Sequence, residues 1–214
     1  MSLQKDVYDK LKKAIIYGEL GPGEKISEFE LARKMHASRT PVREAFRQLQ
    51  MEGYITAIHN RGAFVSKLPP KDIGEVYDIV RLLEGYATEL AVQRISDSDL
   101  NKLKEHQKKL VAYASKRRFR DYVEENTRFH HFITQLSRND CLARTVTELR
   151  ARIYRYRLTS VTIPGYLEKY ASDHEKIIHS MTKRSAILAR KHMEEHVNFV
   201  KEVLVRFLKE NPGY

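Results

Sequence analysis

Three histidines and one asparagine are spaced so that their side chains could meet at one metal ion. Asn126 and His130 are four positions apart in a helical pattern, on the face that carries the apolar residues. His174 and His196 fall on the apolar faces of two later helical segments. Buried imidazoles without partners are costly, so converging histidines need hydrogen bonds or a metal. Nitrogen ligands with one oxygen ligand suit a divalent cation, and Zn²⁺ and Ni²⁺ are the leading candidates.

Two other interpretations of this polar stripe remain open. The histidines can instead form a hydrogen-bonded cluster that faces a water-filled ligand pocket. A metal-dependent enzyme is the rival function, because catalytic zinc also combines histidine ligands with an open position. Against catalysis, the stripes contain no acidic residue that could act as a general base, and Glu124 and Glu125 lie off the face of His130. We expect the other histidines to lie at the surface or to lack a partner at ligand spacing: His36, His59, His106, His131, His179 and His192.

A second group of residues suited to binding opens the helical segment that follows residue 38. Arg39 and Arg43 lie on one face of that segment, and Ser38 or Thr40 can cap its free N–H groups. Pro41 stands in the first turn, where a missing N–H costs little. The N-terminal end of a helix attracts anions, and arginine can pair bidentately with guanine. The alternative to DNA binding is that Arg43 and the following Arg47 only form ion pairs with Glu44 or Glu52 on a solvent-exposed face.

The elements around these arginines predict a winged helix-turn-helix over residues 1–68. Apolar residues recur at helical spacing in three segments, at about 4–18, 27–35 and 38–53, with Met51 and Tyr54 continuing the buried face of the third. YITAI and AFVSKL follow, two β-prone runs around the turn HNRG, which is typical of a hairpin. In such a motif the second helix of the pair lies in the major groove of DNA.

Leu68-Pro69-Pro70 marks a boundary, after which the pattern is helical to the end of the chain. About six helices are predicted over residues 69–214, so the fold class is mainly α, with an all-helical antiparallel bundle as the second domain. We expect Asp97 or Ser98 to cap the second of these helices.

Composition agrees with a nucleic-acid or anionic partner. Lys+Arg 39 against Asp+Glu 28 gives a formal net charge of +11. A single cysteine, Cys141, permits no intramolecular disulfide. No apolar run is long enough to cross a membrane, and the N-terminal residues lack a signal-peptide core. We therefore expect a cytoplasmic protein without a membrane partner.

The stretch GELGPGEKISEFELARKMHASRTPVREAFRQLQMEGYITAIHNRGAFVS resembles the DNA-binding domain of the GntR superfamily of bacterial transcription regulators. RLLEGYATELA, NTRFHHFI, SDHEKII and ARKHMEEH, in this order, resemble its FadR-like branch, which has an all-helical FCD effector domain. The resemblance covers nearly the whole chain. It implies a homodimer that binds a short inverted repeat in double-stranded DNA, with a small organic acid controlling the affinity. A structural nucleic-acid binder without an effector is a third possibility, which the polar stripe argues against.

The resemblance also assigns roles by position. Ser38, Arg39 and Thr40 open the recognition helix, Arg43 follows one turn later, and Arg61 and Gly62 form the tip of the wing. Many FCD domains hold a metal with one acidic residue and three histidines at the motif positions of the polar stripe, and Asn126 stands where many relatives have aspartate. Phe29 stands where some relatives have an arginine.

The resemblance makes Arg81 the candidate cation for the effector carboxylate. Its alternative is an i,i+3 pair with Glu84 on the same helix. Arg150 and Arg152 are further candidates that spacing alone does not separate.

Overall fold

A computed structural model of the protein describes residues 3–212, with the side chain of Arg155 excepted, and divides into two compact units, Met1–Leu68 and Pro69–Tyr214. The first unit contains, in chain order, α1 (Leu3–Ile16), β1 (Lys25–Ile26), α2 (Glu28–Lys34), α3 (Arg39–Met51), β2 (Ile55–Ile58) and β3 (Gly62–Val65). The second contains α4 (Pro70–Val92), α5 (Asp97–Ser115), α6 (Phe119–Leu136), α7 (Asp140–Thr162), α8 (Leu167–Thr182) and α9 (Ala186–Glu210). The predicted fold class, mainly helical with a winged helix-turn-helix first, is confirmed.

The core of the first unit forms where α3 packs against α1 and α2. Each of these helices turns one apolar face inward, and the buried set is Val7, Leu11, Ile15, Ile26, Ala32, Val42, Ala45, Phe46, Leu49, Tyr54, Ile55 and Val65. Burying one face leaves the opposite face of α3 in solvent. Met51 departs from the prediction, since it is 82% exposed at the end of α3 while Tyr54 is buried.

The wing is an antiparallel sheet with the strand order β1-β3-β2. The hairpin places Ile55 opposite Val65 and Ile58 opposite Gly62, so the predicted β-hairpin is present. Asn60 and Gly62 both have positive φ, 57° and 100°, as a tight hairpin turn requires. The two-residue strand β1, which pairs with β3, was not predicted, because two residues carry too little periodicity to identify a strand.

The second unit is a bundle in which α4 packs along α9, α8 packs against α9 and α5, and α6 packs against α4, α5 and α7. Gly85 permits the close approach of α4 to α9, because a Cβ atom at this position would lie 2.5 Å from Cγ of Glu194. Ser96 caps α5, and its hydroxyl accepts a hydrogen bond from the backbone N–H of Asp99. The expectation that Asp97 or Ser98 caps this helix is therefore wrong by one or two residues. Within residues 3–212, no helix has the length and apolar character needed to span a membrane.

Candidate functional site

The recognition helix α3 presents its first residues to solvent. Ser38 is the N-cap residue, but its side chain makes no capping hydrogen bond, so the hydroxyl remains available to another acceptor or donor. Arg39, Thr40 and Arg43 are exposed in the first turns of the helix. Their positions follow directly from the burial of the opposite face. Exposed cations at the N-terminal end of a helix form an arrangement that can bind phosphate and base edges.

Helix α2 contacts both arginines. The guanidinium carbon of Arg39 lies 5.0 Å from the ring centre of Phe29, which is 55% exposed. Nε of Arg43 lies 3.5 Å from Oε2 of Glu28, a pair that is partly open to solvent. The alternative partner of Arg43 on its own helix, Glu44, makes no such pair among the described residues. These contacts restrict the two arginines without burying them.

The wing tip is equally open. Arg61 and Gly62 are exposed at the turn of the hairpin, and the guanidinium of Arg61 lies 5.9 Å from the ring centre of Phe64. Such a tip has the size and charge that suit a minor groove.

The bundle brings His130, His174 and His196 together from α6, α8 and α9. One nitrogen of each imidazole lies within 4.8 Å of the others, and Nε2 of His174 lies 3.2 Å from Nε2 of His196. All three side chains are buried, at 1%, 0% and 4% exposure. Two nitrogen ligands on a tetrahedral Zn²⁺ stand about 3.4 Å apart at the usual Zn–N length. The spacing of these two rings is close to that value.

The facing Nε2 atoms and the neutral state of the rings support a metal at this cluster. Among the described residues, Nδ1 of His174 and Nδ1 of His196 have no hydrogen-bond partner although both are buried. Burial lowers the pKa of all three histidines, that of His130 to about 3. The rings are therefore neutral near pH 7, which is the form that ligates a metal. The donor set fits Zn²⁺ or Ni²⁺. Asn126, which the spacing predicts as an oxygen ligand, is half-buried one turn before His130 on α6.

A buried carboxylate that the sequence reasoning missed lies beside this cluster. Oε2 of Glu84, on α4, is 3.0 Å from Nδ1 of His130, although the contact lacks the alignment of a hydrogen bond. Nε and Nη2 of Arg150, on α7, both donate to the same carboxylate, the latter at 2.6 Å. Glu84 lies on α4, outside the three histidine-bearing stripes, so the expectation about acidic residues on those stripes did not cover it. Burial raises the pKa of Glu84, but the charge of Arg150 and the ring of His130 hold it well below its usual range.

The three candidate arginines for the effector carboxylate, Arg81, Arg150 and Arg152, have different partners and exposure in the structure. Nη1 of Arg81 lies 3.4 Å from Oε2 of Glu194 on α9. Glu84, the alternative i,i+3 partner of Arg81, forms an ion pair with Arg150 instead. Arg152 is exposed. Spacing could have exposed the role of Glu84, because it lies four residues after the buried Val80 and on the same face of α4.

Two of the remaining histidines do have partners. Nδ1 of His106 lies 2.7 Å from Oε1 of Glu125, which is buried, and Nδ1 of His192 lies 2.8 Å from the hydroxyl of Ser180. Sequence spacing did not reveal the partner of His106, and His192, which was expected at the surface, is half-buried. Both pairs lie apart from the three-histidine cluster and have the character of structural contacts between helices.

A winged helix-turn-helix with exposed arginines on its recognition helix, followed by a helical bundle, defines a DNA-binding transcription regulator. Comparison with protein families places the chain within this class. Residues 75–199 match the FCD domain, and residues 3–65 match the "Bacterial regulatory proteins, gntR family". The protein belongs to the GntR family of bacterial regulators and carries an FCD domain.

Known relatives agree over nearly the full length. The chain is 29% identical to the HTH-type transcriptional regulator YdhC of Bacillus subtilis, covering 95% of this chain and 91% of YdhC. It is 25% identical to the HTH-type transcriptional repressor RspR of Escherichia coli K12, covering 99% and 93% of the two chains. The solved structure of E. coli McbR/YncC has the same fold, with a TM-score of 0.81 at 23% identity, over 97% of this chain and 99% of that chain.

Proposed function

We propose that the protein is a cytoplasmic homodimer whose affinity for an inverted-repeat operator is controlled by a small organic acid bound in the helical unit. The observation that carries this proposal is the buried cluster of His130, His174 and His196, whose donor atoms lie within 4.8 Å of one another. A bundle stabilised only by packing has no need of three converging buried imidazoles. A metal bound between the facing ring nitrogens, such as Nε2 of His174 and His196 at 3.2 Å, accounts for their convergence.

In this proposal His130, His174 and His196 hold a divalent cation, Zn²⁺ or Ni²⁺, with Asn126 as an oxygen ligand. The cation supplies a fixed positive charge for a carboxylate group of the effector. Glu84 lies against Nδ1 of His130, which leaves the other ring nitrogen for the metal. An acid at this position contacts α6, α8 and α9 together and can favour one packing of these helices over another.

In the DNA-binding unit, we propose that Arg39 and Arg43 read base edges while Ser38 and Thr40 hold phosphate at the start of α3. Arg61 and Gly62 enter the minor groove. Support comes from the exposure of all these residues and from the contacts of α2 with the two recognition arginines. Held in place by Phe29 and Glu28, the arginines lose less side-chain freedom when DNA binds.

We propose that an apolar stripe on α4 contributes to the homodimer. Ile79, Leu82 and Tyr86 lie on one face of this helix and are 49%, 44% and 44% exposed. An inverted repeat has two-fold symmetry, which a homodimer with a two-fold axis matches. Light scattering at micromolar concentration should give a dimer for the wild type, and Leu82→Glu should shift it towards monomer. A monomeric wild type, with and without DNA, contradicts the dimer.

The same site argues against the metal-dependent enzyme. A general base needs a pKa near the working pH, but Glu84 is held ionised by Arg150 and has a pKa far below that range. The relatives that cover nearly the whole chain are named as transcription regulators.

The central experiment measures operator affinity with and without metal and acid. An operator is first selected from a random DNA library with the full-length protein. Fluorescence anisotropy then measures its affinity for zinc-loaded and chelator-treated protein over a panel of carboxylic acids. We expect at least one acid to change the affinity of the zinc-loaded protein by about 5- to 150-fold, the usual scale of such coupling. An affinity that no acid changes contradicts effector control.

A further inference from the structure

Arg157, on α7, carries a buried guanidinium group without an acidic partner among the described residues. Its exposure is 5%. Nη1 donates a hydrogen bond to the hydroxyl of Thr127 at 3.0 Å, while Nη2 is buried and has no hydrogen-bond partner in the described part of the chain. An isolated buried charge is strongly unfavourable unless an anion compensates it. The position of this group therefore points to a ligand.

The other arginines inside the bundle differ on this point. Arg150 is fully engaged by the carboxylate of Glu84, and Arg81 faces Glu194. Each of these two cations thus has an anion supplied by the protein. No carboxylate of the described residues contacts Arg157, and the charge of Glu84, which is already paired with Arg150, acts on it only from a distance.

Three tyrosine hydroxyls are also buried polar groups without a hydrogen-bond partner among the described residues. Tyr77, Tyr122 and Tyr170 are buried at 4%, 1% and 2% exposure on α4, α6 and α8. None of the three hydroxyls has a hydrogen-bond partner within residues 3–212. Burial raises the pKa of each tyrosine, so each hydroxyl keeps its proton and can donate to an anion.

Electrostatic interactions place these groups near one another and near the histidines. The charge of Arg157 acts on both Tyr77 and Tyr122, and Tyr170 interacts with the same two tyrosines. The ring centre of Tyr170 lies 6.4 Å from that of His196. The charge of Arg157 also acts on His174. The unpartnered donors and the histidine cluster therefore lie in the same interior of the bundle.

We infer that Arg157 and the hydroxyls of Tyr77, Tyr122 and Tyr170 form a second anion subsite, and that the effector is a dicarboxylate. This inference rests on the proposed function, since it assigns one carboxylate to the metal at the histidines and the other to Arg157. The guanidinium and hydroxyl N–H and O–H groups donate to the second carboxylate, whose charge compensates the buried cation. In this inference Arg157 takes the role of carboxylate-binding cation for which the resemblance makes Arg81 the candidate.

The test is calorimetric titration of the full-length, zinc-loaded protein with acids of matched chain length. The dicarboxylates are malonate, succinate and glutarate, and the monocarboxylates are propionate, butyrate and valerate. We expect at least one dicarboxylate to bind roughly 10- to 100-fold more tightly than its monocarboxylate, the range expected for hydrogen bonds to a charged group. Arg157→Met should abolish that preference without changing the zinc content. The control Arg144→Met, at an exposed arginine of the same helix, should retain it.

A second measurement separates ligand binding from a structural role. Arg157→Met replaces an uncompensated buried charge by an apolar side chain, so its melting temperature without acid should equal or exceed that of the wild type. A structural arginine predicts the opposite. Tyr122→Phe, which removes only a hydroxyl, should weaken the dicarboxylate and leave the monocarboxylate unchanged.

Three results overturn the subsite: a wild type that prefers no dicarboxylate, a preference that survives in Arg157→Met, or a clear fall in melting temperature in that variant. Failure of the proposed function has a different signature. In that case the dicarboxylate binds in an Arg157-dependent manner, which supports the subsite, while the operator affinity of the wild type does not change.

Discussion

Arginines serve opposite purposes in the two units of this protein. On the recognition helix, Arg39 and Arg43 are exposed and make only loose contacts, with Phe29 at 5.0 Å and Glu28 at 3.5 Å. In the bundle, Arg157 is 5% exposed, and the side chain of Arg150, at 12%, donates twice to the buried Glu84. Water compensates the charges of the first pair. The protein, or a ligand, must compensate those of the second pair.

The contrast separates binding from stability. An exposed ion pair contributes about 0–1 kcal/mol, so replacing Arg39 or Arg43 should leave the fold intact and change only DNA binding. A buried charge that loses its partner destabilises the fold directly. Substitutions of the exposed arginines on α3 should therefore act on function alone, whereas those around Glu84 should act on stability first.

The largest effect is expected for Arg150→Met. This substitution leaves Glu84, which is 1% exposed, without its compensating cation. The free energy of unfolding of the bundle should fall by about 3–5 kcal/mol, the usual penalty for breaking a buried pair from one side. Chemical denaturation followed by circular dichroism measures it.

The matched control is the double variant Glu84→Gln/Arg150→Met, which removes both charges. It should recover a large part of the loss, because no uncompensated charge remains. A single Arg150→Met variant as stable as the wild type means that the ion pair does not compensate Glu84 and refutes this description of the bundle.

His174→Ala should have the next largest effect. Removing one of the three proposed imidazole ligands should weaken Zn²⁺ binding by more than about 100-fold, since even indirect partners of a ligand contribute 10- to 100-fold. Basal operator affinity should not change, because the DNA-binding unit has its own core. Metal analysis and a zinc-binding competition assay measure zinc binding, and operator titration measures the basal affinity for DNA. The exposed His179→Ala, on the same helix, is the control. Zinc affinity equal to that of the wild type excludes His174 as a ligand.

Part of this site could be predicted from the sequence, because the face on which a helical residue lies depends only on its nearest neighbours along the chain. That is why the spacing identified His130, His174 and His196, and why the predicted bounds of the three helices in the first unit were close. The recognition helix was predicted for the same reason: Val42, Ala45, Phe46 and Leu49 form its buried face, and they are the residues that the structure buries.

The part of the site that the sequence could not predict consists of side-chain contacts between segments that are distant along the chain. Glu84 and Arg150 are 66 residues apart, and no local pattern shows that α4 and α7 bring them together. Periodicity also did not distinguish Arg150 from Arg152, since their different environments depend on how α7 is rotated in the bundle. The contact of Arg39 with Phe29 likewise depends on how α2 crosses α3.

Arg39→Ala and Arg43→Ala should each weaken binding to the selected operator by roughly 1–3 kcal/mol and relax specificity at one base pair. The melting temperature should remain that of the wild type, in contrast to Arg150→Met. Fluorescence anisotropy with the operator and with single-base variants measures both effects. Arg47→Ala, later on the same helix, is the comparison and should produce a smaller loss that does not depend on sequence. If all variants bind the operator and random DNA with the affinities of the wild type, the assigned recognition face is wrong.

Phe29→Ala examines the contact between α2 and the recognition helix. It removes the ring beside Arg39 without removing the cation, so the loss of operator affinity should be smaller than for Arg39→Ala, about 0.5–1 kcal/mol. Phe29→Tyr should restore it, because the aromatic face is retained. Equal effects of the alanine and tyrosine variants mean that the ring does not position Arg39.

The smallest expected effect concerns Glu52, which joins α1 to the end of α3. Its carboxylate accepts hydrogen bonds from the hydroxyl of Tyr8 and from Nζ of Lys12, both at 2.7 Å. Burial raises the pKa of Glu52, but the bonds from Lys12 and Tyr8 outweigh it and lower the pKa below its ordinary value. Because the folded state has the lower pKa, the stabilisation is present above the unfolded value of about 4.3 and is lost as the pH falls through the folded pKa.

Glu52→Gln should therefore reduce the stability of the first unit by about 0.5–1 kcal/mol at pH 7, since the pair is partly open to solvent. Below the folded pKa the difference should vanish, because the protonated carboxyl then resembles the amide. Thermal unfolding of the full chain at a series of pH values tests this, with Glu44→Gln at an exposed position as the control. A difference between wild type and Glu52→Gln that persists unchanged at pH 2 shows that shape, rather than charge, connects the two helices.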